Sequence, residues 1–197
     1  MSYLGENIPK LGFGLMRLPM LGEEVDVEQV KEMVDLFLDA RFTYFDTAYG
    51  YIGGKSEKAI KEALVDRYPR ESFQLATKLP AWAGPKTAEE AQQMFYTSLE
   101  RTGAGYFDFY LLHNLGDTRT ESFERFAEWT GEQARTHSQA MKVIAGIGVT
   151  ASESKLNAAA VCRQIEITRE AGLAGFALFD LDETLEKEIL PALGEGK

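Results

Sequence analysis

Apolar and polar positions alternate along this chain in two rhythms that take turns. Short apolar runs with strand character lie at residues 11–18, 42–46, 73–78, 106–112, 142–149 and 175–179. Between them, apolar residues recur at three- and four-residue intervals, the spacing that lines one face of a helix. Val27, Val30, Val34, Phe37 and Leu38 form such a face, so residues 26–40 are predicted helical. Asp26 is placed to cap that helix, with Gln29 three positions on as the capping-box partner. The next helix is predicted to begin at Ser56, with Ile60 and Leu64 facing inward. A third opens at Thr87, with Glu90 as its capping-box partner, and closes at Gly103. A fourth begins near Thr120. Residues 129–140 are polar and poorly periodic and read as a joint or a weak helix. Helices over 152–171, with Gly172 at the C-cap, and over 184–193 complete the chain.

Six strands alternating with helices through short connections predict an α/β fold, a parallel sheet with helices outside it. Six falls short of the eight strands of a closed (β/α)8 TIM-type barrel. The expectation is one α/β barrel-like domain over residues 1–197 that is incomplete, closes with about six units, or is completed by another chain. A sheet of this kind exposes two edges, so self-association is expected as well.

Composition narrows the function classes. The 197 residues carry 31 acidic and 21 basic side chains, a net charge of −10, with no basic cluster, so nucleic acid is not an expected partner. No apolar run approaches the roughly 20 residues of a membrane helix, and residues 1–10 lack the basic-then-apolar pattern of a signal peptide. Cys162 is the one cysteine, which rules out an internal disulfide and a cysteine-built iron–sulfur site. A cytoplasmic protein without a membrane partner is expected.

Four ionisable residues lie at or just past the ends of strand-like runs: Asp46, Tyr51, Lys78 and His113. Barrel enzymes gather their catalytic groups at those ends. The set suits reduction of a carbonyl, because hydride addition leaves negative charge on oxygen and a general acid must supply a proton. A tyrosine can do so, although its unperturbed pKa is about 10; a neighbouring ammonium stabilises the phenolate. Lys78 is the candidate ammonium, Asp46 the carboxylate that keeps it charged, and His113 a donor that orients the carbonyl oxygen.

Several other features read more plainly. Gly12 and Gly14 form a GxG without the third glycine of a dinucleotide fingerprint. Gly53-Gly54-Lys55-Ser56 lacks the first glycine of a phosphate loop. His137 falls in the polar joint, and no His/Cys/Asp cluster has zinc spacing, so no metal site is expected. Asp180, Asp182 and Glu183 could suggest the carboxylate pair of a glycosidase, but they sit where a helix N-terminus favours acids.

The runs Phe45-Asp46-Thr47-Ala48-Tyr49-Gly50-Tyr51, Ala76-Thr77-Lys78-Leu79-Pro80 and Asp108-Phe109-Tyr110-Leu111-Leu112-His113 resemble the aldo-keto reductases. The opening Leu11-Gly12-Phe13-Gly14-Leu15-Met16-Arg17-Leu18-Pro19 is similar too, and the resemblance covers about residues 8–129. It implies a (β/α)8 barrel, a nicotinamide cofactor, NADP(H) or NAD(H), and a small carbonyl substrate. It implies Tyr51 as the acid, Lys78 and Asp46 as the groups that tune it, and His113 as the orienting group. Cofactor contacts would come from Gly14, Met16, Arg17 and Asp46, while Tyr49, Trp82 and Asn114 would line the substrate side.

The later part of the chain departs from that pattern. The loops that hold most of the dinucleotide in this family, including a basic phosphate loop, have no counterpart here. Residues 141–197 resemble instead the last β/α unit of family-10-like glycoside hydrolases, on Arg163-Gln164-Ile165 and Gly172-Leu173-Ala174-Gly175-Phe176-Ala177-Leu178-Phe179. A reductase-like part over 1–129, a joint over 130–140 and a foreign-looking closing part over 141–197 would make the chain a chimera. Three expectations follow: an NAD(P)H-dependent carbonyl reductase, a recombined or truncated scaffold that keeps the four residues without binding cofactor, and a glycoside-hydrolase-like barrel.

Overall fold

Helix α1 (Val27–Asp39) starts where the cap was expected, with the Asp26 carboxylate accepting a hydrogen bond from the Gln29 amide at 3.1 Å. Val30 and Val34 on its inner face are fully buried. The computed structural model describes residues 6–80, 85–113, 124–125, 127–129, 132, 142–149, 155–179 and 182–195. The chain divides into two units, Met1–Leu79 with Glu89–Tyr110, and Pro80–Ala88 with Leu111–Lys197.

In the first unit, β1 (Gly12–Gly14), β4 (Tyr44–Asp46) and β5 (Gln74–Pro80) are parallel neighbours. Phe13 lies opposite Phe45, and Phe45 opposite Leu75. Side chains alternate across a strand, so Phe13 and Phe45 share one face. There they meet Phe37 of α1, with ring centroids 5.3 and 5.2 Å away. Tyr44 and Asp46 take the other face, where Tyr44 packs 5.5 Å from Phe109 of β6 (Phe109–His113). Burial of the aromatic face on α1 thus sends Asp46 to the side away from the helix.

The opposite end of these strands is tied by Arg70. Its guanidinium donates to the carbonyls of Phe73 (3.0 Å), Ala104 (3.2 Å) and Tyr106 (2.8 Å) and to the Asp108 carboxylate (2.7 Å). Asp108 also accepts the Leu75 amide at 2.8 Å. This staple explains why the strand predicted over 106–112 forms only from Phe109: the preceding backbone serves Arg70 instead. The strand predicted over 42–46 likewise starts at Tyr44, because the Phe42 amide bonds back to Phe37 of the helix.

A hairpin of β2 (Met20–Leu21) and β3 (Glu24–Val25) was not anticipated. Two-residue strands are too short to show alternation, and Gly22, at φ 64°, is the available turn signal. Helix α2 (Lys55–Ile60) runs on into a π turn (Lys61–Val65), and Ile60 and Leu64 are buried as expected. Ser56 is not its N-cap. Gly54 occupies that position at φ 86°, while the buried Ser56 hydroxyl bonds to the Leu15 carbonyl (2.9 Å) and the Thr47 hydroxyl (2.8 Å). Helix α3 (Ala88–Thr102) ends at left-handed Gly103, as predicted.

In the second unit the end of β6 is followed by β7 (Lys142–Gly148) and β8 (Gly175–Phe179), ordered β6-β7-β8 with β7 and β8 parallel. Between them lies α4 (Ala158–Glu170), capped by the Asn157 side chain, which accepts the Ala160 amide at 2.9 Å. The helix was expected from residue 152. It begins later because Asn157 supplies the cap and the Leu156 amide is engaged by the Val149 carbonyl. Thr120, the expected start of the fourth helix, lies outside the described residues, but Glu124, Arg125, residues 127–129 and Glu132 are helical. The last helix is a π turn (Leu185–Ile189) continuing into α5 (Leu190–Glu195), which contains Pro191. No helix among the described residues is long and apolar enough to cross a membrane.

Gly146 of β7 is required by close packing. A Cβ there would lie 2.5 Å from the Leu112 carbonyl oxygen, a backbone atom that cannot swing aside. Gly146→Ala is therefore expected to destabilise the protein by about 2 kcal/mol, read as a lower urea midpoint. A midpoint equal to the parent's would show that the two strands do not approach this closely.

Candidate active site

The register of β4 and β5 assembles the centre of the site. Asp46 pairs with Ala76, so Lys78, two residues further along β5, projects on the same face one step beyond it. The ladder continues past β4, the Thr47 amide bonding to the Ala76 carbonyl at 2.9 Å and the Tyr49 amide to the Lys78 carbonyl at 3.4 Å. Lys78 Nζ donates to Asp46 Oδ1 and, at 2.7 Å, to the Thr47 carbonyl. The Lys78 side chain is only 4% exposed, against 25% for Asp46. A buried ammonium is costly without a partner; here it has a carboxylate and a carbonyl.

Tyr51 follows in a short 3-10 turn (Tyr51–Gly54), half-buried, with its ring centroid 4.6 Å from Lys78 Nζ. The turn is tight enough to put Ile52 at φ 51° and ψ 42°, a left-handed conformation that a β-branched residue rarely adopts. Asp46, Lys78 and Tyr51 are therefore brought together within the first unit.

Tyr44 belongs to this group and was missed in the sequence. Burial first, then the negative charge of Asp46, push the Tyr44 hydroxyl well above the usual tyrosine range. It stays protonated, on the same strand face as Asp46. The available signal was its place two residues before Asp46, on the same strand face.

Behind the loop lies a second layer. Glu57, in the first turn of α2, is fully buried; its carboxylate accepts from the Thr77 hydroxyl at 2.8 Å and from Arg101 Nη1 at 3.2 Å. Arg101 also donates to the Tyr49 carbonyl at 2.9 Å, with its guanidinium carbon 4.4 Å from the Tyr49 ring centroid.

The remaining predicted residues are placed as follows. Gly14 ends β1 in register with Asp46, with nothing within 4 Å of where a Cβ would stand. Met16 is 56% exposed and Arg17 is exposed beside it. His113 ends β6, half-buried, in the second unit. Trp82, Asn114, His137 and Asp180 lie outside the described residues. Asp182 caps the last helix, accepting the Leu185 amide at 2.9 Å, and Glu183 pairs with Lys187 at 3.2 Å.

A sequence model of the aldo/keto reductase family matches residues 10–173, a stretch that runs through the expected joint and takes in β7 and α4. An aldo-keto reductase of Mycolicibacterium smegmatis is 30% identical over 110 residues, 55% of this chain and 36% of that protein. The 4-dihydromethyl-trisporate dehydrogenase of Mucor mucedo is 31% identical over 114 residues, 55% of this chain and 32% of that one. The matched stretch thus spans about a third of the length of these curated relatives. Among solved structures, an aldo-keto reductase from Klebsiella pneumoniae in complex with NADPH superposes with a TM-score of 0.72 at 19% identity, covering 95% of this chain and 61% of that one. The glycerol dehydrogenase of Gluconobacter oxydans gives 0.64 at 20%, covering 95% and 57%. At these identities the likeness is one of fold, and it bears out the expected α/β fold of incomplete (β/α)8-barrel type, with six strands in the parallel sheet among the described residues.

Proposed function

The chain belongs to the aldo/keto reductase family, and on that premise we propose that it carries the proton-donating centre of an NAD(P)H-dependent carbonyl reductase. The observation that carries the reading is the buried Lys78 ammonium, bound to the Asp46 carboxylate and 4.6 Å from the Tyr51 ring. Such a charge favours negative charge developing on the phenol as its proton leaves. Tyr51 gives that proton to the carbonyl oxygen of an aldehyde or ketone. Asp46, paired with Lys78, holds the lysine in place beside Tyr51. His113 takes the role of orienting the carbonyl oxygen by a hydrogen bond, and Tyr49, with Trp82 and Asn114, that of lining the substrate side.

The first unit offers groups that suit a dinucleotide. Gly14 leaves one side of the strand end open, Arg17 presents an exposed guanidinium to a phosphate, and the part of Asp46 that Lys78 leaves exposed can accept from a ribose hydroxyl. Bound NADPH or NADH supplies the hydride. The glycoside-hydrolase reading has less to stand on, since Asp182 and Glu183 are engaged at the start of the last helix.

Calorimetric titration of the folded protein with NADPH tests the proposal, together with NADPH-linked reduction of a broad aldehyde substrate. Micromolar binding with turnover is the expected result. A folded protein that ignores millimolar NADPH would overturn the reading in favour of a scaffold that keeps the residues without the cofactor.

A further inference from the structure

We propose that Glu57 and Arg101 are positioning residues that set the loop carrying Tyr49 and Tyr51 against the strand carrying Lys78. The inference rests on the reductase reading for its catalytic consequence, and on geometry alone for the positioning itself.

The loop between β4 and α2 has a difficult task. It must hold Tyr51 next to Lys78 while passing through three successive left-handed residues, Ile52, Gly53 and Gly54. The glycines take this conformation freely, but Ile52 persists in it only where its surroundings hold it. Glu57 and Arg101 provide that hold from two sides. One Glu57 oxygen takes the hydroxyl of Thr77, the residue immediately before Lys78. The other takes Arg101, whose same nitrogen reaches the Tyr49 carbonyl, two residues before Tyr51, while its plane covers the Tyr49 ring. The lysine strand and the tyrosine loop are thereby referred to one buried carboxylate.

Two independent observations mark the arrangement as built for an arginine. Glu57 is fully buried and the Arg101 side chain only 23% exposed, a desolvated pair whose cost is justified where it fixes one conformation. Gly54 leaves the space: a Cβ there would stand 2.8 Å from the Arg101 guanidinium carbon and from Nη1. A lysine keeps the charge but loses the plane that lies over Tyr49 and the rigid fork. Nothing in this network touches a reacting atom, so its effect runs through the placement of Tyr51 and Tyr49.

The test uses Arg101→Lys and Glu57→Gln in the whole chain, with Arg67→Lys, at the separate Asp35 pair, as a matched ion-pair control. Each is measured for melting temperature, NADPH affinity, kcat and KM for an aldehyde, and the ¹⁹F resonance of 3-fluorotyrosine placed at position 49. Misplacement by about 1 Å costs up to about a hundredfold in rate. Arg101→Lys is therefore expected to lower kcat at least about tenfold with NADPH affinity within about twofold, and Glu57→Gln to do so to a smaller degree. The single ¹⁹F resonance of the parent should shift and broaden in both. Arg67→Lys should change melting alone. Parent-like kcat and an unmoved resonance in folded Arg101→Lys would overturn the inference while leaving the reductase reading intact. A parent without turnover, whose resonance still shifts in Arg101→Lys, would overturn that reading and leave the positioning role standing.

Discussion

Tyr51→Phe is expected to lower NADPH-linked aldehyde reduction by about a thousandfold while the protein stays folded and still binds NADPH. The change deletes one hydroxyl and keeps the ring that lies 4.6 Å from the Lys78 ammonium. Packing of the ring is thus preserved while the proton source is removed. A positioned general acid contributes about 10²–10⁴ in rate, and the estimate takes the middle of that range. KM should move little, because the proton is delivered in the transition state and a group acting there alone affects kcat. Wild-type-like turnover in this variant, with its melting temperature unchanged, would remove Tyr51 from the acid role. The nearby Tyr44 is poorly suited to take over: burial and the negative charge of Asp46 push its hydroxyl away from easy proton release.

Much of this centre was legible in the sequence because its signals are local. Asp46 and Lys78 end apolar runs, and the parallel register of adjacent strands turns that placement into a contact. Helix α1 and its cap were legible for the same reason: Asp26, Gln29 and the apolar face lie within one window. What escaped depends on partners distant in sequence. Ser56 has the right identity for an N-cap, but the carbonyl of Leu15, 41 residues away, claims its hydroxyl. The strand around Tyr106 is shortened because Arg70, 36 residues earlier, takes its carbonyl. Glu57 and Arg101 stand 44 residues apart on different helices, and each alone looks like an ordinary charged helix residue. Tyr44 was hidden differently: its aromatic ring fits a strand core, and only its strand face sets it on the side of Asp46.

Lys78→Met is expected to have the second large effect, in two readouts that separate. Turnover should fall by at least about a hundredfold, because the charge beside the Tyr51 ring that stabilises a departing proton's phenolate is gone. Stability should fall too. Removing one member of a buried pair strands the other, at about 3–5 kcal/mol for full burial. A quarter of the Asp46 side chain still reaches solvent, so about 2 kcal/mol is the expected loss in urea unfolding. The double variant Asp46→Asn with Lys78→Met distinguishes the causes. With no charge left to strand, most of the lost stability should return, since methionine fills a site that is already 4% exposed. Turnover should not return, because the ammonium is still absent. Recovery of both together would mean that Lys78 acts on the reaction only by keeping the fold intact, and that its position beside Tyr51 has no chemical role. Recovery of stability alone would place the charge itself in the proposed mechanism, acting through the electrostatics of one buried lysine.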